Sequence, residues 1–324
     1  MTIEATTLTV RVAAKRAEAE GICSVELVPV GDGPLPGFSA GSHIDVQLPG
    51  GMTRQYSLCN PPSETHRYLI AVLREPASRG GSTWIHDRLS VGDTLTISPP
   101  RNHFGLAEDA ERHLLIAGGV GITPILSMAE TLCAAGASFE MHYAARSASR
   151  AAFVERIRGS RFAERVAFHF DEAAPDQRLD LADLLKAPGA ATHLYVCGPK
   201  GFMEATLDQA RRCGWAESRL HREFFAGADA SPRGGDAPFE VKLASSGRVI
   251  LVPADQTVVQ ALAEAGVEIP MSCEQGVCGT CVTGVLDGYP DHRDCYFTDA
   301  EHAANDQFTP CCSRARSSRL TLDL

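Results

Sequence analysis

Short runs rich in apolar and β-branched residues fill the amino-terminal third of the chain, and Gly, Pro and Asn separate them. Such runs, at such spacing, predict the strands of a small antiparallel barrel or sandwich. The runs are LTVRVAAKRAEAE (8–20), GICSVELVPV (21–30), GSHIDVQLPG (41–50), RQYSLCN (54–60), RYLIAVLRE (67–75) and TLTISPP (94–100).

The rhythm changes at about residue 112. HLLIAGGVGITPILSMAETLCAAGA (113–137) reads as a buried strand, a glycine-rich turn and a helix, and THLYVCGPKGFMEATLDQARRCG (192–214) repeats that order. Further strand-like runs lie between them at 138–146 and 166–170. Strands that alternate with helices predict a doubly wound parallel sheet.

A third pattern follows GADASPRGGDAP (227–238), a small, polar stretch with the composition of an interdomain linker. Residues 239–254 alternate as a β-hairpin with Gly247 at the turn, and an amphipathic helix begins after Thr257 and stops at Gly266. We therefore predict a barrel domain (1–106), a parallel-sheet domain (107–228), a linker (229–237) and a small α+β domain (238–324).

Composition narrows the class of protein. The chain has 324 residues, 44% hydrophobic and 22% charged, which is ordinary for globular domains. It contains no apolar run long enough for a transmembrane helix and no apolar leader, so we expect a cytoplasmic protein without a membrane segment. The net charge of −10 provides no basic surface for nucleic acid.

Three closely spaced cysteines near the carboxyl end carry the strongest chemical signal. CEQGVCGTC places Cys273, Cys278 and Cys281 in the C-x4-C-x2-C spacing of plant-type [2Fe–2S] proteins. The fourth ligand must come from Cys311 or Cys312. We favour Cys311, since it follows a proline directly and adjacent cysteines cannot easily both ligate.

Two other interpretations of this cluster stay open on the residues alone. Structural zinc sites usually bring two short cysteine knuckles, and the second is missing here. Free thiols on a loop are the other alternative. The isolated cysteines, Cys23, Cys59, Cys133 and Cys213, are expected to be small buried residues, and Cys295 to be structural.

Two turns of the parallel-sheet domain could bind a nucleotide. AGGVGITP (117–124) follows an apolar strand and opens a helix, where glycines would let a pyrophosphate approach unpaired N–H groups. A tight turn that needs glycine for packing is an equally good explanation of this one motif. The second turn has Cys197, Gly198 and Pro199 at the end of another strand, so both turns would face one crevice.

The barrel carries two weaker motifs. RQYS (54–57) offers an arginine for a phosphate and a tyrosine for a flat ring. SRGGS (78–82) precedes the predicted helix TWIHDRL, another place for a phosphate.

The order of these motifs, R-x-Y-S, G-G-S, G-G-x-G-I-T-P, C-G-P and then C-x4-C-x2-C, resembles the phthalate dioxygenase reductase family over essentially the whole chain. The resemblance implies an FMN barrel, an NADH domain and a plant-type [2Fe–2S] ferredoxin domain of β-grasp fold. Family members usually have a single cysteine where this chain has Cys311 and Cys312.

The resemblance also implies site residues. Thr123 would lie near the flavin ring, Cys197 near the nicotinamide without covalent chemistry, and Phe225, whose neighbour Phe224 is the alternative, over the flavin. The FMN-binding residues would be Arg54, Gln55, Tyr56, Ser57, Ala71, Val72 and Leu73, with Gly80, Gly81 and Ser82 at its phosphate. The NADH-binding residues would be Gly119, Gly121, Arg146, Ser147, Cys197, Gly198 and Pro199. The iron ligands would be Cys273, Cys278, Cys281 and Cys311.

The implied function is an oxygenase reductase of aromatic catabolism. A hydride would pass from NADH to FMN, and single electrons through the cluster to a terminal Rieske-type oxygenase. We expect a monomer. A reductase of a small soluble acceptor and a redox-sensing protein are the alternatives. The last segment, 238–324, carries −6 of the net charge, which could steer a basic partner or simply keep the protein soluble.

Overall fold

The computed structural model describes residues 7–31, 33–75, 78, 80–189, 191–225 and 235–324. The chain divides into two compact units, Met1–Glu223 and Phe224–Leu324. Most of the predicted linker, at 229–234, lies outside the described residues. No helix in the described ranges has both the length and the apolar character needed to cross a membrane.

An antiparallel barrel begins the first unit. Its strand order is β4-β3-β6-β1-β2-β5, with β7 paired to β3, and a bridge between Leu58 and Ile70 joins the two ends of that order. A short helix, α1, packs against β4 and β5. The elements are β1 (Leu8–Ala19), β2 (Ile22–Pro29), β3 (Ser42–Leu48), β4 (Met52–Ser57), β5 (Tyr68–Leu73), α1 (Gly81–Asp87), β6 (Thr94–Ile97) and β7 (Arg101–Asn102).

A parallel sheet follows, with strand order β10-β9-β8-β11-β12. Because β8 has its successor β9 on one side and β11 on the other, the order reverses at β8, which is where open parallel sheets bind ligands. The elements are β8 (Arg112–Gly118), α2 (Ile122–Ala134), β9 (Ser138–Ala145), α3 (Val154–Arg158), β10 (Val166–Phe170), α4 (Leu181–Leu185), β11 (Thr192–Cys197), α5 (Lys200–Arg212) and β12 (Leu220–Glu223).

The barrel and the parallel sheet share a hydrophobic core. Ala71 of β5 and Cys59 belong to the same buried cluster as Ile122 of α2 and Cys197 of β11. The Ser127 hydroxyl of α2 also donates a 2.9 Å hydrogen bond to the Asn60 carbonyl at the barrel end. This common core is the physical reason that the two sheets form one compact unit.

The second unit is a small β-grasp fold. Its sheet has the order β14-β13-β19-β15-β17, in which β13 and β19 run parallel. The predicted hairpin is β13–β14, and Thr257 caps the predicted helix in a capping box with Gln260. The elements are β13 (Phe239–Leu243), β14 (Val249–Val252), α6 (Val258–Glu264), β15 (Thr283–Asp287), β16 (Pro290–Asp291), α7 (Asp299–Ala304), β17 (Gln307–Phe308), β18 (Arg314–Ala315) and β19 (Arg319–Leu322).

Candidate functional site

The two glycine-containing turns of the parallel sheet meet backbone to backbone. Ala117 and Cys197 are register partners at the ends of β8 and β11. A Cβ atom on Gly121 would lie 2.3 Å from the Cys197 carbonyl oxygen, and one on Gly198 would lie 3.0 Å from the Gly118 Cα. Packing therefore requires glycine at both positions, as the second interpretation of this motif predicted.

Gly119 is different. Its φ is +53°, and a Cβ there would meet nothing within 4 Å. It lies one turn before α2, whose first residue is Ile122, so the space beside it borders the helix N-terminus. Packing explains the glycines at positions 121 and 198, whereas the open space beside Gly119 could hold a bound group. Pro199 caps the start of α5 at the neighbouring strand.

Arg146 and Ser147 follow β9, which pairs with β8, so they lie at the same edge of the sheet as Gly119. Arg146 is exposed. The Ser147 hydroxyl contacts the Ser149 hydroxyl at 3.0 Å. Nearby Arg150 donates to Glu20 at 2.7 Å and is thereby engaged within the protein. The structure thus gathers the predicted nucleotide-binding residues along one sheet edge.

Cys197 and Thr123 are buried at this edge. Burial raises the pKa of the Cys197 thiol well above its usual value, and the neighbouring Glu223 raises it further. The side chain therefore stays a neutral thiol, in keeping with a role without covalent chemistry. The Thr123 hydroxyl donates to the Val120 carbonyl at 3.1 Å.

The four residues of RQYS divide between two faces of β4, since side chains alternate along a strand. On one face, Arg54 packs so closely on α1 that a Cβ on Gly81 would lie 2.8 Å from the arginine side chain. Tyr56 packs against the barrel core on this face. On the other face, Gln55 donates to Asp45 at 2.9 Å, and Ser57 lies towards β12. Only Arg54 and Tyr56 share a face with the glycines of α1.

The remaining flavin candidates are spread over β5 and the start of α1. Ala71 faces the core shared with the parallel sheet, and Val72 faces the barrel interior. The Ser82 hydroxyl accepts a hydrogen bond from the Glu75 N–H and donates one to Ser78. Leu73 packs at the margin of the shared core. Gly80 has a φ of +99°, which suits glycine.

Phe225 lies two residues beyond β12, at the start of the second unit, and its side chain is 38% exposed. Its neighbour Phe224 is less exposed. The place of this aromatic pair over a flavin stays a prediction.

Glu223, which the sequence did not point to, sits among the predicted residues. Its carboxylate accepts a 2.9 Å hydrogen bond from the Ser57 hydroxyl and lies 3.8 Å from His43 Nδ1.

Burial raises the pKa of Glu223 to about 7, against the opposing effect of the Ser57 hydrogen bond. Burial and, to a lesser extent, the charge of Arg101 together lower the pKa of His43 to about 4. A neutral histidine therefore faces a carboxyl that titrates near neutral pH. The only signal in the sequence is a glutamate before two phenylalanines, which is too weak to identify it.

The four predicted iron ligands are all buried, and contacts between their thiols group them into two pairs. Cys273 lies beside Cys278, and Cys281 lies beside Cys311. The hydrogen bond between the Cys273 and Cys278 thiols lowers the pKa of Cys278 and raises the pKa of Cys273, so Cys278 is the first of the pair to lose its proton. Two pairs of thiols are what two irons with two thiolates each would require.

The loop backbone points donors at the sulfurs. The Gln275 N–H lies 3.3 Å from Cys273 Sγ, and the Thr280 N–H lies 3.5 Å from Cys278 Sγ. Glu274, Gly276 and Gly279 all have positive φ values, which turns successive N–H groups inward. Hydrogen bonds from backbone N–H groups to sulfur are a recognised means of tuning iron–sulfur sites.

Cys312 occupies a different position from Cys311. Its thiol contacts the Thr309 hydroxyl at 3.3 Å and packs so tightly on Gly276 that a Cβ there would lie 2.4 Å from it. Cys311, in contrast, completes the pair with Cys281. This arrangement favours Cys311 as the fourth ligand. Among the isolated cysteines, Cys23 and Cys59 are buried as expected, whereas Cys133 and Cys213 are only half-buried.

These sites together define an iron–sulfur oxidoreductase built from a barrel, a parallel sheet and a ferredoxin-like domain. Residues 241–316 match the family model described as a 2Fe-2S iron-sulfur cluster binding domain. Residues 94–220 match the N-terminal domain of dimethylamine monooxygenase subunit DmmA-like proteins.

Whole-chain relatives give the family. The vanillate O-demethylase oxidoreductase of Pseudomonas sp. (strain HR199 / DSM 7063) is 56% identical over 97% of this chain and 98% of that protein. The phthalate dioxygenase reductase of Burkholderia cepacia is 38% identical over 98% of this chain and 97% of that protein. A solved phthalate dioxygenase reductase, described as a modular structure for electron transfer from pyridine nucleotides to [2Fe–2S], has a TM-score of 0.75 at 38% identity and covers 98% of both chains.

The chain belongs to the phthalate dioxygenase reductase family. It is an oxidoreductase with a [2Fe–2S] domain. The expected fold class and enzyme class are confirmed.

Proposed function

We propose that this chain takes a hydride from NADH onto FMN and passes single electrons through its [2Fe–2S] cluster to a terminal Rieske-type oxygenase or demethylase. The backbone contact that brings the two nucleotide turns together, with open space left beside Gly119, carries this proposal. That contact lies in the same compact unit as the barrel, beside Ser57 and Glu223. Flavins, when bound, accept electron pairs and release single electrons, so a flavin belongs between a hydride donor and a one-electron centre.

The flavin would be held where Arg54 lies against Gly81. An arginine beside a glycine turn suits a single phosphate, which FMN carries. Tyr56, on the same face of β4, offers its ring to the flavin plane. Thr123, Ala71 and Phe225 complete the expected surroundings.

The nucleotide would be NADH, bound along the edge formed by Gly119, Arg146 and Cys197. A 2′-phosphate would require free arginines near the second strand. Arg150 is already paired with Glu20, which leaves Arg146 as the exposed arginine at the end of β9. With one of the two arginines after β9 engaged in an ion pair, the site is better suited to NADH than to the extra phosphate of NADPH.

The partner is inferred from the relatives. The curated relatives at 56% and 57% identity are named for vanillate O-demethylase. We infer an oxygenase partner of that kind, with an aromatic substrate. A reductase of a small soluble acceptor is the alternative, and a redox sensor has no support in the family. Cytoplasmic location and a monomeric state stay predictions from the sequence.

The order of electron carriers can be tested with Cys278→Ser. Because Cys278 lies in the second unit and the nucleotide turns lie in the first, the variant should retain flavin reduction by NADH while losing cytochrome c reduction. Stopped-flow absorbance measures the first step and steady-state absorbance the second. Cys213→Ser, at the end of α5, is the matched control and should retain both steps. Loss of flavin reduction in Cys278→Ser alone would contradict the proposed order.

A further inference from the structure

Three side chains of the second unit converge next to the cysteine loop. His292 follows β16, His302 lies on α7, and Asp294 lies between the two elements. One potential ligand atom from each residue lies within 4.8 Å of the other two. None of the three is a predicted ligand of the iron–sulfur cluster, so their convergence needs its own explanation.

The His292 ring presents an unpartnered nitrogen to this site. Its Nε2 lies 3.2 Å from Asn305 Oδ1, and the Asn305 amide is oriented by a 3.1 Å hydrogen bond from its Nδ2 to the Ala303 carbonyl. Nε2 therefore carries the proton and donates it, which leaves a lone pair on Nδ1. Nδ1 is buried without a hydrogen-bond partner among the described residues, and the side chain is 8% exposed.

The carboxylate of Asp294 faces that nitrogen. Its side chain is fully buried, and Oδ1 lies 3.8 Å from His292 Nδ1, too far for a hydrogen bond. Oδ2 is well satisfied by the N–H groups of Tyr296 and Phe297, at 3.1 Å and 2.9 Å. Oδ1, in contrast, accepts a long hydrogen bond of 3.4 Å from the Ser313 hydroxyl, the only one that this oxygen accepts among the described residues 235–324.

Two acceptors thus face each other in a buried place, a nitrogen lone pair and a carboxylate oxygen. Such an arrangement is costly unless a cation lies between them. His302 Nε2 donates a 3.1 Å hydrogen bond to Asp294 Oδ2, and its side chain is 25% exposed. A metal that displaces this proton would gain His302 Nε2 as a third ligand atom. Tetrahedral zinc holds neighbouring ligand atoms about 3.3 Å apart at its usual bond lengths. The two histidine nitrogens lie 3.8 Å and 3.1 Å from different oxygens of Asp294, and with one atom from each residue the three lie within 4.8 Å of one another, so small side-chain rotations would bring them to that spacing.

We propose that His292, Asp294 and His302 form a binding site for a divalent transition metal, with zinc the best fit. Two imidazoles and a carboxylate are ligands that zinc accepts readily. A water molecule would complete the coordination on the exposed side of His302. The Nε2 hydrogen bond of His292 to Asn305 would serve as the supporting contact that orients a metal-bound imidazole.

The site would brace the cysteine loop. A Cβ on Gly276 would lie 2.8 Å from Asp294 Cβ, and the Cys295 N–H donates to the Gly276 carbonyl at 3.0 Å. A metal that fixes Asp294 would therefore hold the segment on which Gly276 rests. The expected role is structural, because the metal would tie α7, which carries His302, to the segment before it, which carries His292 and Asp294.

Metal counting on the holoenzyme tests the proposal. The full chain, loaded with flavin and iron–sulfur cluster, is dialysed with zinc and then against metal-free buffer, and zinc and iron are counted by mass spectrometry. Wild type should retain roughly one zinc per chain beside the irons of the cluster. His302→Gln and His292→Gln should bind zinc at least about tenfold more weakly with iron unchanged. His66→Gln, at an exposed histidine of the first unit, is the matched control and should retain zinc.

The opposite results would overturn the proposal. They are a wild type that retains no zinc, zinc gained only in exchange for iron, or ligand variants that retain as much zinc as His66→Gln. A second readout covers a variant that folds poorly. Zinc should lengthen the half-time for bleaching of the cluster absorbance in wild type and not in His302→Gln, whose ligand lies on the surface side of the site.

Discussion

Glu223 shows how burial can place a titration near neutral pH. A carboxyl whose pKa rises to about 7 on folding binds its proton more tightly in the folded state than in the unfolded state. The stability that this proton provides is therefore complete below the unfolded pKa, and it is lost as the pH rises through about 7. The cause is removal from water at a side chain that is only 14% exposed.

Glu223→Gln should remove this pH dependence. Glutamine keeps the acceptor for Ser57 but never ionises, so the variant should gain stability relative to wild type as the pH rises from 5 to 8. The gain should be up to about 3 kcal/mol at pH 8. Calorimetric unfolding at the two pH values measures it. Parallel pH profiles for the two proteins would mean that Glu223 ionises normally.

At the level of residues, the sequence predicts the site residues that belong to motifs, and it misses those that only the packing of the fold brings together. Arg54 and Gly81 are marked by RQYS and SRGGS, and the structure brings them into contact. Glu223 and His43 are brought to the same site by strands far apart in the chain, and neither belongs to a motif. Their pKa shifts arise from burial, which no local pattern reports.

At the level of elements, helices and strands bounded by capping residues or turn glycines could be predicted from the sequence. α6 is framed by Thr257 and Gly266, and the predicted helix lies where expected. β12, in contrast, is four residues long and is defined only by its pairing with β11. β19 likewise gains its place by pairing in parallel with β13, about eighty residues earlier. Short strands of this kind carry no recognisable sequence pattern, because they become strands only by pairing with a neighbouring strand.

The glycines of the first nucleotide turn provide an internal comparison. Gly121→Ala would put a Cβ 2.3 Å from a backbone carbonyl, so β8 and β11 would have to separate. We expect it to lower the free energy of unfolding by at least about 2 kcal/mol and to raise the KM for NADH. Gly119→Ala meets open space and has only its positive φ against it, a cost of about 1 kcal/mol.

Thermal unfolding and steady-state kinetics measure both variants of this pair. If Gly119→Ala proved less stable than Gly121→Ala, the positive φ of Gly119 would matter more for stability than the contact between the two turns. A rise in the KM for NADH in Gly119→Ala without a matching loss of stability would support the proposed binding of the nucleotide beside the open glycine.

At the level of the whole molecule, charge is distributed unevenly. Residues 238–324 hold 12 acidic and 6 basic residues, which is −6 of the total of −10. Several of the basic residues are engaged internally, such as Arg293 with Asp236 and Arg319 with Glu240. Exposed acids lie near and within the cysteine loop, among them Glu268 and Glu274.

Glu274 is the exposed acid most closely tied to the electron exit, since it follows Cys273 directly and is held at a φ of +56°. If charge steers acceptors, Glu274→Lys should slow the reduction of cytochrome c, a basic acceptor, roughly threefold at low salt. The difference from wild type should vanish as the Debye length falls to about 3 Å near 1 M salt.

Glu155→Lys makes the same change of charge on α3 of the first unit and should leave the rate unchanged. Equal slowing by both variants would indicate that net charge, and not its position beside the cluster, sets the encounter rate. A salt-independent loss in Glu274→Lys would point to a disturbed loop, and the cluster spectrum would reveal it.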